Sequence, residues 1–425
     1  MREAFLHYLW RLQRYERHEL RTTEGEPLTI GARGTLNTHA GPDFSDARVR
    51  IGTTRWAGHV EIHVRASDWY RHGHQTDPAY DNVILHVVHT DDRPVSHRHG
   101  ERIPTLELKD RIPLELYNHY QRLIDNAAWI PCAPFFPEVR AITRDLWLDR
   151  LLVERLERKT QYLDELLTQT RNDWEATAYQ FLLRNIGLRV NTEAFALLAR
   201  VTPLKVIRKY ASSLFDLEAL LFGQSGLLER TEHRDDYTER LRARHAFLRA
   251  KHGLTPMPVA AWKFLRLRPP NFPTIRIAQT AALLHRRLPL FQALLQLQTP
   301  EQAAAFFTAP PSAYWRSRYQ FGEAGKQLQQ RTIGKATVRL LLINAVVPLL
   351  FAYGQRRGNE AYRERATNLL EALPPEKNSI ITHWKTLGAP ADSAYRTQAL
   401  LQLKNEYCTP KRCLQCAVGH AVLKG

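Results

Sequence analysis

The hydrophobic period of this chain changes once, and the change falls on a cluster of prolines. Upstream, Leu28–Ile30, Ala47–Ile51, Val60–Val64, Val83–Val88 and Thr105–Leu108 are short, β-branched and partly alternating runs separated by Gly, Asp and Pro. A period of two puts alternate side chains on opposite faces of a sheet, so these runs read as strands. Downstream, Leu148, Leu151, Leu152, Leu156, Leu163, Leu166 and Leu167 keep a period of 3.6, and comparable stripes recur over Phe195–Leu198, Leu214–Leu221 and Ala278–Leu295. Those are amphipathic helices. Between the two regimes lies WIPCAPFFPE, where Pro131, Pro134 and Pro137 can continue neither pattern. With a short opening helix carrying Phe5, Leu9 and Leu12, the pattern predicts an α+β chain: a mixed α/β domain over 1–126, a Pro-rich joint over 127–137, and a mostly α-helical domain over 138–425.

Charge follows the same division. Lys and Arg balance Asp and Glu to within one charge over residues 1–126, so essentially the whole net charge of +17 lies beyond them, whereas two-thirds of the 18 histidines lie before. A histidine-rich neutral part and a basic helical part suggest a chemical half and a half that holds a polyanion. The N-terminal segment interrupts its apolar residues with charges and lacks the layout of a secretory signal. The longest apolar run, Leu340–Ala352, contains Asn344 and Pro348 and falls short of the roughly 20 residues of a membrane span. It reads as a buried, Pro-kinked helix in which Asn344 satisfies a backbone group. A cytoplasmic protein with no membrane partner is expected.

The stretch GPDFSDARVRIGTTRWAGHVEIHVRASDW over 41–69 concentrates the chemistry. Strand parity puts Glu61 and His63 on one face and Val60, Ile62 and Val64 on the other. The link Gly52–Arg55 folds the preceding strand back antiparallel, and the register decides which carboxylate meets Glu61. Pairing Ile51 with Trp56 sets Asp46 opposite Glu61, and a slip of one sets Asp43 opposite His63. Strict alternation would point Asp43 into the core with Ala47, Val49 and Ile51, so its use as a ligand requires a bulge. Two carboxylates and a neighbouring histidine suit a hard cation, Mg²⁺ or Mn²⁺, with water positioned for attack.

Pro42-Asp43, followed after seventeen residues by Glu61-Ile62-His63, resembles the PD-(D/E)XK nuclease superfamily, with histidine where its lysine usually stands. The resemblance implies a restriction-endonuclease-like mixed sheet flanked by helices, Asp43 and Glu61 as metal ligands, and His63 in the place of the water-activating lysine. A second group follows in SDWYRHGHQTDPAYDNVILHVV. There His72, His74, Asp77, Asp81 and His86 are either transition-metal ligands or polar loop residues, with Tyr80 and Asp81 capping the next strand. His97 and His99 read as a solvated hairpin tip.

Cys408, Cys413 and Cys416 form C-x4-C-x2-C, and Cys132 in the proline joint is the remaining cysteine. Together they suit a four-thiolate site for Zn²⁺ or an iron–sulfur cluster, and four unrelated buried thiols remain the alternative. In YWRSRYQF, Tyr314, Trp315 and Tyr319 interleave with Arg316 and Arg318, a composition suited to stacking on bases and contacting phosphates of DNA or RNA. Arg266, Arg268, Arg286, Arg287, Arg356 and Arg357 could extend that groove.

The whole chain also resembles a bacterial domain-of-unknown-function family, number 2851. The resemblance is carried by GPDFSDA, WAGHVEIH, SDWYRHGH, YDNVILHVV, RPPNFPTIRIAQ, INAVVPLLFAYG and the C-terminal cysteine segment. The expected activity is Mg²⁺- or Mn²⁺-dependent hydrolysis of nucleic-acid phosphodiesters at Asp43, Asp46, Glu61 and His63. Two alternatives accompany it: a non-catalytic nucleic-acid-binding or scaffold protein, and a transition-metal hydrolase built on the histidines.

Overall fold

The computed structural model describes residues 1–322, 324–325 and 328–424. The chain forms two compact units, Met1–Trp147 with Lys404–Gly425, and Leu148–Leu403. This differs from the division expected at the proline joint. The joint lies inside the first unit, and the C-terminal cysteine segment belongs to that unit and not to the helical one.

In the first unit, helix α1 (Glu3–Leu12) precedes strands β1 (Leu28–Ala32), β2 (Thr35–Leu36), β3 (Phe44–Ile51) and β4 (Thr54–Arg65). A short helix α2 (Asp68–Arg71) leads through a loop to β5 (Val83–Thr90) and β6 (Thr105–Glu107), and α3 (Leu114–Asp125) follows. The sheet order is β1-β3-β4-β5-β6, with β2 also on β3. Pairing is antiparallel as far as β4 and parallel from β4 to β6, so the sheet is mixed. Phe5 of α1 stacks on Tyr120 of α3 with centroids 4.3 Å apart.

Neither expected register of the β3–β4 hairpin is adopted. Ile51 pairs with Thr54 across a two-residue turn in which Gly52 has φ 57°, a conformation glycine takes at no steric cost. Between Ala47↔Gly58 and Phe44↔Val60, three steps along β3 match two along β4. The extra residue is a β-bulge, and Asp46 within it has φ 60°, a left-handed conformation that Asp tolerates better than most residues. The bulge resets the parity. Phe44, Ala47, Val49 and Ile51 all reach the core, while the next residue out, Asp43, comes beside Glu61. Asp46 is exposed and lies among Gln13, Arg17 and residues 30–35. Its expected place opposite Glu61 is therefore corrected, because the bulge spends that position on a backbone turn.

Replacing Asp46 by Val is expected to lower the unfolding free energy by about 2 kcal/mol, since a β-branched residue resists the left-handed region. Asp46→Gly should leave it unchanged or raise it. Equal urea midpoints for the two variants would show that the left-handed turn is not formed.

The second unit is mostly helical. Helix α4 (Ala141–Gln169) begins in the first unit and continues into the second, and its buried residues include all seven leucines of the expected stripe. The apolar run is interrupted by a π-turn, Leu342–Val346, just before Pro348. In that five-residue spacing the carbonyl of Ile343 would pair with the amide that Pro348 lacks. Lys159 Nζ donates to it at 3.2 Å instead, and also to Asn344 Oδ1 at 3.0 Å and Gln398 Oε1 at 2.9 Å. Asn344 thus accepts from a buried lysine and does not cap the backbone as expected. Burial pushes the Lys159 ammonium down to about 7. With its flanking turns the run extends over Lys335–Arg357, 23 residues, long and apolar enough by composition to cross a membrane, and 67% of its most apolar window is buried in the protein.

Candidate metal centre

The centre is assembled from five segments of the first unit. Parallel pairing sets Glu61 beside His86 and His63 beside Val88, so Glu61, His63 and His86 share a face, while Val60 and Ile62 enter the core on the other. The loop after α2 returns His72 and His74 over this face. From α1 comes His7, whose Nε2 lies 3.1 Å from Asp43 Oδ2.

The two carboxylates are locked by each other's backbone. Glu61 Oε2 accepts from the Asp43 N–H at 3.0 Å, and Asp43 Oδ2 accepts from the Ile62 N–H at 3.0 Å. The other Glu61 oxygen, Oε1, lies 3.3 Å from His74 Nε2 and 3.6 Å from His63 Nε2. His63 Nε2 is 3.1 Å from His72 Nδ1, and His63 Nδ1 is 2.8 Å from His86 Nε2. One ligand atom from each of His63, His72 and His74 lies within 4.8 Å of the others. Three imidazoles this close could hold one metal ion, and Glu61 Oε1 lies beside two of them.

The second group is therefore brought onto the first, in part. His86 is fully buried and touches His63 from behind, the position from which an imidazole orients a metal-binding neighbour. With the His63 Nδ1–H donating to His86, the Nε2 lone pair of His63 faces Glu61 and His72. Tyr80 stacks on His74 at 3.8 Å, and Trp69 lies 5.6 Å from His86 at the edge of an apolar cluster with Val83, Val88, Val95 and Ile103. Asp77 does not join the centre. It is exposed and accepts the Ala79 N–H at 2.9 Å, capping the turn at 78–80. Asp81 pairs with Arg98 at 2.7 Å.

Burial decides which groups of the centre carry protons. Burial, then the neighbouring imidazoles, pushes His63 down to about 2, and burial with His74 pushes His86 down to about 3. Both rings are neutral at physiological pH, the state in which imidazole binds metals. Burial also raises Glu61, with the Asp43 charge adding to it. Burial would lower His7, but its hydrogen bond to Asp43 and the carboxylate charge outweigh this and raise it.

A family described as "Protein of unknown function (DUF2851)" matches residues 3–379. The chain belongs to that family. No curated protein and no solved structure matches it. The matched residues of this DUF2851 member include the whole hairpin, the histidine loop and Cys132, but end before Cys408, Cys413 and Cys416. The resemblance expected for the C-terminal cysteine segment thus lies outside the match. The four cysteines are buried and unpaired, and all belong to the first unit.

The expected nucleic-acid platform is altered by packing. Trp315 is fully buried, stacks on Phe222 at 5.1 Å and donates its Nε1–H to Tyr237 Oη at 3.0 Å. Its ring is a core element and not a stacking surface. Tyr314 stacks on Tyr237 at 4.0 Å and bonds Asp235 at 2.9 Å, while Arg318 lies over Tyr314 at 4.2 Å. Arg316 is exposed, and Tyr319 is half-buried beneath Arg331. The segment forms one 3-10 turn, Ala313–Arg316, and its aromatic residues face several directions. His7 is the site residue that sequence reasoning missed. It lies on the opening helix 36 positions before Asp43, and only its place one turn after Glu3, off the apolar stripe, could have marked it.

Proposed function

We propose that the first unit is a metal-dependent hydrolase of phosphodiester bonds, with a transition ion held by His63, His72, His74 and Glu61. The observation that carries this reading is the convergence of three imidazoles within 4.8 Å beside Glu61 Oε1. Imidazole donors select Mn²⁺ or Zn²⁺ over Mg²⁺, which prefers an all-oxygen shell. The geometry thus supports the carboxylate hairpin and the histidine loop as one centre. Such an ion supplies an activated water and charge stabilisation for an attacked ester.

The chain's own groups complete the chemistry. Glu61, His63, His72 and His74 would hold the ion, and His86 keeps the His63 ring in place. Asp43 holds His7, whose raised proton affinity suits delivery of a proton to the leaving oxygen. Water attacks phosphorus as the ester P–O bond breaks, the alkoxide takes the His7 proton, and the proton the water gives up passes to solvent, from which His7 is reprotonated. The phosphodiester assignment is supported by the Pro42-Asp43…Glu61-Ile62-His63 pattern on a mixed sheet and by the positive charge downstream of residue 126.

Cleavage assays on single- and double-stranded DNA and RNA, run with Mn²⁺, Zn²⁺ and Mg²⁺, test the reading. Activity is expected with Mn²⁺ or Zn²⁺, lost in His74→Ala and reduced in His7→Ala. Stoichiometric metal binding with nucleic-acid binding but no cleavage would replace it with a scaffold role. Metal-dependent hydrolysis confined to other esters would move the substrate away from nucleic acid.

A further inference from the structure

A cavity of about 790 Å³ in the first unit shares no residue with the metal centre. Segments distant in sequence wall it: α3 with Arg122, the proline joint and the start of α4 with Phe135 and Arg140, and the C-terminal segment with His420 and Lys424. The C-terminal wall is held in place from outside. Arg11 Nη2 donates to the Leu414 carbonyl at 2.9 Å, Arg14 Nη2 to the Leu423 carbonyl at 3.5 Å, and Lys411 Nζ to the Ile124 carbonyl in α3 at 2.6 Å. His420 donates its Nε2–H to the Leu414 carbonyl at 2.7 Å, and its ring lies 5.3 Å from Tyr8. The cavity is therefore formed before any ligand arrives, as small-molecule sites usually are.

Its charge is one-sided. Arg122, Arg140 and Lys424 stand exposed around it against one carboxylate, Glu138. Among the described residues no carboxylate pairs with any of the three, whereas Arg71, Arg98 and Arg102 of the same unit pair with Asp68, Asp81 and Glu24. Arg140 immediately precedes α4, whose first turn holds no acidic residue, so the positive end of that helix adds to the same sign. Cations gathered from separate segments repel one another unless an anion joins them. Two of these are guanidiniums, whose planar fork matches phosphate oxygens.

The rest of the lining is largely apolar. Val139 is buried, Phe135 is half-buried, and Ala417 and Val422 complete that surface. Among the described residues no aromatic ring stacks on Phe135. A bare inorganic anion would leave this part of the cavity unused, whereas a planar body joined to phosphates fits both parts. The volume also falls within the roughly 300–1,000 Å³ of small-molecule sites. We propose that this cavity binds a nucleoside diphosphate, with its phosphates on Arg122, Arg140 and Lys424 and its base against Phe135.

Titration calorimetry of the full chain with ADP in the presence of a metal chelator tests this, with inorganic pyrophosphate and adenosine as the two partial ligands. One ADP per chain, bound more tightly than either part, is expected. Arg122→Glu and Arg140→Glu should each weaken ADP about 10-fold or more, and because both side chains are exposed they should keep the melting temperature of the unmutated chain. Phe135→Leu should weaken ADP about 5-fold and leave pyrophosphate unchanged. His74→Ala should bind ADP as the unmutated chain does, so the hydrolase reading can fail while this one stands. Absence of ADP binding, unchanged affinity in a folded Arg140→Glu chain, loss of binding in His74→Ala, or equal affinity for ADP and pyrophosphate would overturn the proposal.

Discussion

His74→Ala is expected to weaken Mn²⁺ or Zn²⁺ binding more than about 100-fold, beyond the 10–100-fold typical of losing a residue that only supports a ligand. His74 bridges two parts of the centre, converging with His63 and His72 and lying 3.3 Å from Glu61 Oε1. Its loss leaves the ion two imidazoles and one carboxylate oxygen. His72→Ala should behave similarly. His86→Gln should fall within the 10–100-fold band, since His86 acts through His63. Asp77→Ala should leave affinity unchanged because Asp77 caps an exposed turn. Isothermal titration of the metal-free chain gives all four numbers. Equal affinities for His74→Ala and the unmutated chain would remove the histidine trio as the binding site and the proposed function with it.

Gly58→Ala carries the second large effect, expected to lower the unfolding free energy by about 3 kcal/mol, the upper end for forcing extra volume into packed structure. A Cβ at Gly58 would lie 2.5 Å from the Asn82 carbonyl oxygen and 2.6 Å from Ile84 Cγ2. The carbonyl cannot swing away, because it accepts the His59 N–H at 2.8 Å at the start of the β4–β5 pairing. The strands must separate at the start of their pairing, three residues before Glu61 pairs with His86. Gly334→Ala is the matched control, since nothing lies within 4 Å of its added Cβ. Thermal melts showing the same midpoint for both variants would mean that the strands part at no cost.

Local pattern carried much of the fold. Period-two runs became β1 and β3 to β6, and the seven leucines from Leu148 to Leu167 became one face of α4, because side-chain burial follows backbone periodicity directly. The same parity put Glu61 and His63 together. Position in space was less legible. Asp46 and Asp43 are equally acidic in the sequence, and one extra residue at a bulge sends one to the rim and the other to the centre. Trp315 shows the converse, since a composition suited to stacking on bases is equally suited to packing on Phe222.

The sequence by itself determined the class of fold, the β4 pair Glu61 and His63, and the family, because these rest on periodicity and on contiguous motifs. Only the tertiary structure decided that Asp43 faces Glu61, that His72 and His74 close over His63 while Asp77 turns away, that His7 reaches the centre from α1, and that the C-terminal cysteines join the first unit. Those outcomes depend on loop return, a bulge and long-range packing, whose energies arise between segments far apart in the chain.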